Sequence, residues 1–198
     1  MTVFSGAVEG DLDEAVLRRV VEACGGSLGR VYVRGGKPRL VRGIRGYNAA
    51  ARYSPWVVLI DLDGDAPCAP EYRQELISAR SARMCLRIAV RAVESWLLAD
   101  ADAISSFLKV SKAAVPGNPE TLEDPKRALV SLAARSKSSS IKGGMVPAPA
   151  GGRRVGVQFT SFMLDFVEKH WRPQVAAATA DSLRRAITGL RAVVSRET

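Results

Sequence analysis

The ten residues from Trp56 to Asp65 read WVVLIDLDGD, an apolar run that ends in three closely spaced acids. Five apolar residues rich in Val and Ile predict a strand that is buried on both faces. Gly64 allows a sharp turn just beyond it. Asp61 and Asp63 are two residues apart, so in extended backbone their side chains project to the same side. The stretch therefore predicts a buried strand that delivers carboxylates to one edge of a sheet.

Strands and helices alternate along the first half of the chain. Strands are predicted at Thr2–Val8, Gly29–Val33, Trp56–Ile60 and Met84–Val90, and helices at residues 12–24, 40–52 and 70–78. This alternation predicts an α/β fold, Rossmann-like, with a mainly parallel four-stranded sheet and helices on both faces.

The second half of the chain is predicted to be mostly helical. Helical periodicity covers residues 92–108, 125–135, 160–169 and 175–194. Residues 136–154 are rich in Ser, Gly, Pro, Lys and Arg, which predicts a mobile basic loop. We therefore expect an α/β core over residues 1–91 and a helical extension packed on it over residues 92–198.

Composition narrows the class of protein. The 198 residues include 29 Lys and Arg against 20 Asp and Glu, a formal net charge of +9, which favours nucleic acid as a polyanionic partner. The three cysteines are widely separated and form no CxxC pair, which indicates a reducing cytoplasm and argues against zinc. His170 is the only histidine and is expected to be structural, so histidine-based catalysis is disfavoured. No membrane-spanning or targeting segment is predicted.

The acids that follow two predicted strands form a candidate metal site. Glu9 follows the first strand, and Asp61, Asp63 and Asp65 follow the third. In open parallel sheets the carboxyl ends of the strands converge on one edge, where ligands bind. Clustered carboxylates repel one another unless a cation neutralises them, and Mg²⁺ or Mn²⁺ prefers oxygen ligands. The alternative is a set of solvated acidic turn residues.

The order of these acids resembles the Toprim domain. The resemblance rests on Val8-Glu9-Gly10 after the first strand and on the DLDGD of residues 61–65 after the third, and it covers about half of the chain. Toprim domains occur in topoisomerases, primases and overcoming-lysogenization-defect nucleases. The resemblance implies that Glu9 is a general acid or base or a metal ligand, and that Asp61 and Asp63 bind magnesium.

The second half is similar to a group of small bacterial Toprim-like proteins of unassigned function, often encoded beside ABC-type ATPases and sometimes in phage-defence loci. The matching stretches are residues 87–90 (RIAV), 94–100 (ESWLLAD) and 124–126 (DPK). No tyrosine stands in the context of a topoisomerase nucleophile, and no zinc-binding primase module is present. The resemblance therefore implies a nuclease or nuclease-like protein, with an ATPase as a possible partner.

Several further residues are candidates for the site. Glu94 is predicted either to complete the metal shell or to form an ion pair with Arg91 at helical spacing. Five basic residues are candidates for contact with a phosphodiester backbone, the alternative being solvated side chains: Lys126, Lys137, Lys142, Arg153 and Arg154.

The function predicted from these features is metal-dependent phosphodiester hydrolysis of nucleic acid, with Glu9, Asp61 and Asp63 as the catalytic residues. A non-catalytic module that binds nucleic acid or docks on an ATPase, with a structural metal site, is the main alternative. A phosphoryl-transfer enzyme that acts on a nucleotide or small phosphate ester is a third.

Overall fold

The computed structural model describes residues 1–149 and 152–197. Its strands are β1 (Thr2–Val8), β2 (Gly26–Val33), β3 (Trp56–Asp61) and β4 (Met84–Ala89). Its helices are α1 (Asp11–Ala23), α2 (Lys37–Ala50), α3 (Ala69–Leu76), α4 (Val93–Leu98), α5 (Ala101–Leu108), α6 (Pro125–Ala134), α7 (Ser139–Met145), α8 (Phe159–Lys169), α9 (Pro173–Ala176) and α10 (Asp181–Glu197).

The strands form a single sheet in the order β2-β1-β3-β4, and every neighbouring pair is parallel. The predicted α/β architecture with a helical second half is therefore confirmed. The chain leaves β1 toward β2, then returns past β1 to reach β3. The connections after β1 and β3 thus depart in opposite directions, which opens a crevice between the carboxyl ends of these two strands. All residues of β3 except Asp61 are buried, as the apolar run predicts.

Helices cover both faces of the sheet. One face packs against α2 and α3, with Leu40, Tyr47 and Tyr72 buried against the sheet. Because β2 to β3 and β3 to β4 run in the same direction across the sheet, right-handed crossovers place both helices on that face. The step from β1 to β2 runs the opposite way, so α1 belongs to the other face, where the thiol of Cys24 donates to the Ile187 carbonyl of α10 at 3.7 Å.

The chain divides into two compact units. The first comprises Met1–Val93 and the C-terminal segment from Ser182, and the second comprises Glu94–Asp181. The boundary at Val93 lies two residues from the predicted one. The last helix, predicted as part of the helical extension, belongs instead to the α/β unit, because its apolar side, including Leu183, Ile187 and Leu190, is buried there.

The segment predicted as a basic loop is partly helical. Residues 139–145 form α7, which buries Ile141 and Met145. Burial of these two apolar side chains stabilises a helix that the local Ser and Gly content disfavours. Residues 150 and 151 of the predicted loop lie outside the described residues.

A buried aspartate organises the second unit. Asp100 is fully buried, and its carboxylate accepts from the amide of Ala103, which caps α5 and interrupts the helix predicted over residues 92–108. The same carboxylate accepts from Arg172 at 2.6 and 2.9 Å. Trp96 is also buried, and its carbonyl accepts from the Trp171 indole at 3.1 Å. Much of the ESWLLAD stretch thus has a structural role in this unit.

Candidate functional site

The predicted acids meet at the carboxyl ends of β1 and β3. Glu9 directly follows β1, and its Oε1 accepts from the backbone amide of Asp61, the last residue of β3, at 3.2 Å. Glu9 and the Asp61 backbone therefore lie side by side in the crevice where the strand order reverses. This is the position at which open α/β sheets bind ligands.

Asp61 also has a structural contact. Its Oδ1 accepts from the amide of Val93 at 3.0 Å, at the first residue of α4. The carboxylate thereby satisfies an amide of the first helical turn, as carboxylates commonly do at helix starts. Asp61 ties the end of β3 to the segment that follows β4.

Asp63 lies in a strained part of the backbone. Its φ of 50° is in the left-handed region, and so is the φ of 56° at Arg91. The two residues hold each other, because the Asp63 amide donates to the Arg91 carbonyl at 2.8 Å and the Arg91 guanidinium donates to the Asp63 carbonyl at 2.9 Å. Non-glycine residues in this region are uncommon, and they cluster at functional sites, where the surrounding structure maintains the strain.

Lys37 is the residue that the sequence interpretation missed. Its ammonium donates to Asp63 Oδ2 at 2.5 Å and to Asp65 Oδ2 at 2.7 Å, so it bridges the two carboxylates. The hydroxyl of Tyr72 donates to the same Asp65 oxygen at 3.1 Å. A positive charge built into the chain thus neutralises part of the acidic cluster.

The turn before Lys37 explains its placement. Gly35 and Gly36 have φ values of 66° and 120°, and Gly36 also donates to the Glu9 carbonyl at 3.1 Å. Glycine adopts such angles without steric cost, so α2 can begin directly beside the end of β1. The sequence signal that could have identified Lys37 is a lysine at the first position of a helix that follows a Gly-Gly pair at the end of a neighbouring strand.

The charges in this cluster shift one another's pKa values. Burial raises the pKa of Glu9 above its usual value, opposed by the Asp61 amide and Lys37 and assisted by Asp63 and Asp65. The hydrogen bond from Lys37 lowers the pKa of Asp65. The pKa of Lys37 is raised: burial would lower it, and its bonds to both aspartates outweigh that effect. The pKa values of Glu9 and Asp65 are thus shifted in opposite directions, and Glu9 binds a proton more readily than Asp65 does.

Tyr72 belongs to the same electrostatic group. Burial, its hydrogen bond to Asp65 and the charge of Glu9 raise its pKa to about 12, although Lys37 acts in the opposite direction. Tyr72 therefore stays neutral near pH 7 and can donate a hydrogen bond to a carboxylate. The sequence interpretation did not single it out, because a tyrosine inside an ordinary amphipathic helix has no distinguishing local signal.

The carboxylates of the crevice are suitable in chemistry, but not in arrangement, for binding Mg²⁺. Carboxylate oxygens from Glu9, Asp61 and Asp63 have the hard, anionic chemistry that Mg²⁺ requires. In the described part of the chain, however, no group of three or more His, Cys, Asp or Glu side chains is arranged to hold a metal ion. The ammonium of Lys37 occupies the space between Asp63 and Asp65 instead. The residues fit magnesium in chemistry, and Lys37 would have to release Asp63 for that carboxylate to serve as a ligand.

Glu94 belongs to the second unit, and its role as a metal ligand stays a prediction. It is only 2% exposed, and its carboxylate lies 3.1 Å from the ammonium of Lys126. The predicted alternative, an ion pair with Arg91, is wrong in its partner, because Lys126 at the start of α6 supplies the positive charge. A carboxylate that is almost fully buried needs such a partner.

The other basic candidates also lie in the second unit. Arg154 pairs with Asp124 at 2.5 Å, and Asp124 in turn caps α6 by accepting from the Arg127 amide at 2.9 Å. The remaining three are exposed: Lys137, Lys142 and Arg153. Lys142 and Arg153 line a hollow of about 710 Å³. Their contact with nucleic acid stays a prediction.

The comparisons with known proteins add no relative. No protein-family model, no curated protein and no solved structure matches this chain. Within the described residues, no helix has the length and apolar character needed to cross a membrane.

Proposed function

We propose that this protein is a metal-dependent phosphodiesterase that hydrolyses nucleic acid, as the resemblance to Toprim nucleases implies. The observation that carries the proposal is the contact of the Glu9 carboxylate with the Asp61 amide, at the point where the strand order reverses. A solvated turn acid has no reason to be desolvated there against a neighbouring strand. Strain at Asp63, immediately beside this contact, adds support.

Asp61 and Asp63 would hold Mg²⁺ or Mn²⁺, with Glu9 as a further ligand or as the general base and with Asp65 as another candidate ligand. When bound, the ion would neutralise charge on the phosphate and lower the pKa of a water molecule.

Glu9 has the properties of a proton acceptor. Its raised pKa brings it closer to the operating range of a general base, because burial disfavours the ionised carboxylate. Its hydrogen bond to the Asp61 amide fixes its orientation. The chain thus holds one carboxylate for proton transfer beside others suited to bind a cation.

A second candidate is a non-catalytic module that binds nucleic acid or an ABC-type ATPase. The salt bridges of Lys37 favour it, because an internal ammonium already neutralises Asp63 and Asp65. In that case the acidic cluster fixes the crevice, and a cation is structural or regulatory. Under either proposal the protein acts in the cytoplasm, and a role in phage defence follows only from the resemblance.

Cleavage assays on DNA and RNA with MgCl₂ or MnCl₂ test the first proposal. We expect Glu9→Gln and Asp61→Asn to reduce cleavage by roughly a hundredfold or more, as losses of general bases and metal-binding groups do. Asp61→Asn keeps an oxygen that can accept from Val93, so the fold is preserved. The control is Asp102→Asn, because Asp102 is exposed and, within the described residues, forms its one salt bridge with the exposed Lys112.

Equal cleavage by the wild type and both site variants would eliminate the catalytic proposal. Salt-dependent binding of nucleic acid without cleavage under any of these conditions would favour the second candidate. Analysis of the products then separates hydrolysis of nucleic acid from action on nucleotides.

A further inference from the structure

A basic groove lies at the amino-terminal ends of the strands, whereas the acidic crevice lies at their carboxyl ends. It has a volume of about 620 Å³ and is lined by residues that precede β3 and β4 and by the end of α10. Four of the lining residues are arginines: Arg52, Arg80, Arg83 and Arg196. All of them belong to the first unit. Arginines from three separate stretches of the sequence thus converge on one concavity.

The positive charge of this groove is only partly compensated. Among the residues that the structure describes, Glu197 is the one acid that lines it, and it pairs with Arg83 at 2.6 Å. Arg196 donates to the backbone carbonyls of Ala192 and Ala82, at 2.9 and 3.5 Å, which orients the guanidinium without neutralising it. In the described part of the chain, neither Arg80 nor Arg52 forms a salt bridge. Among the described residues, no salt bridge neutralises Arg52, Arg80 or Arg196.

Like charges crowd around Arg80. Partial burial lowers the pKa of its guanidinium, and the nearby positive charges of Arg87, Arg73 and Arg196 lower it further. Repulsion among these groups costs stability and is relieved when an anion binds between them. The arrangement has an electrostatic cost that a bound anion would offset.

The wall of the groove is held in a defined shape. The Asn48 side chain donates to the Ala79 carbonyl at 2.9 Å and accepts from the Ser81 amide at 2.9 Å. The Ser81 hydroxyl donates to the Asn48 carbonyl at 2.6 Å. These bonds tie the segment that carries Arg80 to the end of α2, so Arg80 is held in a defined position beside Arg52.

We propose that this groove binds a small polyphosphorylated anion, recognised by the guanidinium groups of Arg52, Arg80 and Arg196. Arginine binds phosphate in a bidentate manner, and three uncompensated arginines call for a ligand with more than one phosphate group. A volume of 620 Å³ is that of a small-molecule site and not of an extended nucleic-acid track. Inorganic polyphosphates and nucleoside polyphosphates share this chemistry.

The groove is separate from the acidic crevice. It lies before the first residues of β3 and β4, whereas Glu9 and Asp61 lie at the carboxyl ends of β1 and β3. A strand of six residues spans about 20 Å, which sets the separation between the two edges. The inference therefore does not depend on the proposed nuclease activity.

The test is calorimetric titration of the full chain with inorganic triphosphate, in buffer that contains EDTA and has matched ionic strength. EDTA removes divalent cations, so the acidic crevice cannot contribute through a metal. We expect saturable binding to the wild type and roughly tenfold or more weaker binding to Arg80→Gln and to Arg196→Gln, as expected for the loss of a charge-assisted hydrogen bond. Arg45→Gln is the matched control, because Arg45 is exposed on α2 and does not line the groove.

Thermal melting of the ligand-free variants separates binding from folding. Arg80→Gln should melt no lower than the wild type, because it removes a like-charge repulsion, while losing the stabilisation by triphosphate. ATP serves as a second titrant: binding equal to that of triphosphate indicates an inorganic polyphosphate, and tighter binding indicates a nucleotide. No saturable binding by the wild type, equal weakening in Arg45→Gln, or binding of a single-stranded oligonucleotide in place of triphosphate would each overturn the proposal.

Discussion

Replacing Lys37 with Met tests whether the internal ammonium controls the acidic crevice. Lys37 bridges Asp63 and Asp65 at 2.5 and 2.7 Å, and its side chain is only 15% exposed, against 57% and 43% for the two aspartates. An ion pair with such exposed acids contributes about 0.2–1 kcal/mol. Loss of both pairs, with the repulsion that then remains between the aspartates, should cost about 1–2 kcal/mol of unfolding free energy.

This cost should appear as a fall in Tm of roughly 2–8 °C, measured by circular dichroism at pH 7. Lys112→Met is the control, since Lys112 and Asp102 form a 2.6 Å pair in which both side chains are more than 60% exposed. Because both of these side chains are exposed to solvent, its loss should leave the Tm close to that of the wild type. A Lys37→Met variant as stable as the wild type would refute the stabilising role of the bridge.

Magnesium should act differently on the wild type and the variant. With Lys37 removed, Asp63 and Asp65 lose their internal cation, so MgCl₂ should raise the Tm of Lys37→Met more than that of the wild type. A concentration ten times the dissociation constant would add about 1.4 kcal/mol. NaCl of equal ionic strength is the control for screening. If magnesium stabilises neither protein beyond NaCl, Lys37 does not stand in for a metal and the metal proposal loses its support.

Acid should remove the effect of Lys37. The pKa of Asp65 in the folded protein is below its usual value of 3.8, so its pairing with Lys37 stabilises the fold above pH 3.8 and loses that effect as the pH falls through the lowered pKa. The difference in Tm between the wild type and Lys37→Met should therefore shrink in strong acid. A difference that stays constant down to pH 2 would contradict this assignment.

Three further predictions concern single residues. The pKa of Glu9 in the folded protein is above its usual 4.5, so the stability that Glu9 contributes is greatest below pH 4.5 and falls as the pH rises through the raised pKa. Glu9→Gln should therefore make the Tm depend less steeply on pH in this range. An unchanged dependence of Tm on pH would contradict the raised pKa. Asp100→Ala should lower the unfolding free energy by about 2–4 kcal/mol in urea denaturation, because Arg172 and the first turn of α5 lose a buried hydrogen-bond partner. Asp100→Asn keeps an oxygen that can accept these bonds and should cost less. Equal losses in the two variants would show that the retained amide oxygen does not replace the carboxylate. A Cβ at Gly156 would overlap the Gly144 carbonyl, so Gly156→Ala should lower the unfolding free energy by about 1–3 kcal/mol. An unchanged unfolding free energy would show that the backbone can shift to make room for the methyl group.

Local sequence patterns predicted most of the α/β unit. The apolar run WVVLI before Asp61 identifies a strand without reference to its partners, because a strand that is buried on both faces must be apolar at every position. Alternation with amphipathic helices then implies a parallel sheet. In a parallel sheet the carboxyl ends of the strands lie together, so the sequence also predicts that Glu9 and Asp61 lie close to each other.

Tertiary structure decided what depends on residues that are distant in sequence. Lys37 reaches Asp63 and Asp65 because the segment after β2 passes the end of β1, which lies between β2 and β3 in the sheet. Hydrophobic periodicity does not predict strand order, so it could not predict this contact. The groove arginines come from residues 52, 80, 83 and 196, which no local pattern connects. Residues 139–145 are helical because tertiary burial of Ile141 and Met145 outweighs their poor helix propensity. The sequence by itself thus determined the sheet and the position of its acids, whereas only the assembled fold decided which cations they meet, because charge pairing depends on distance in space.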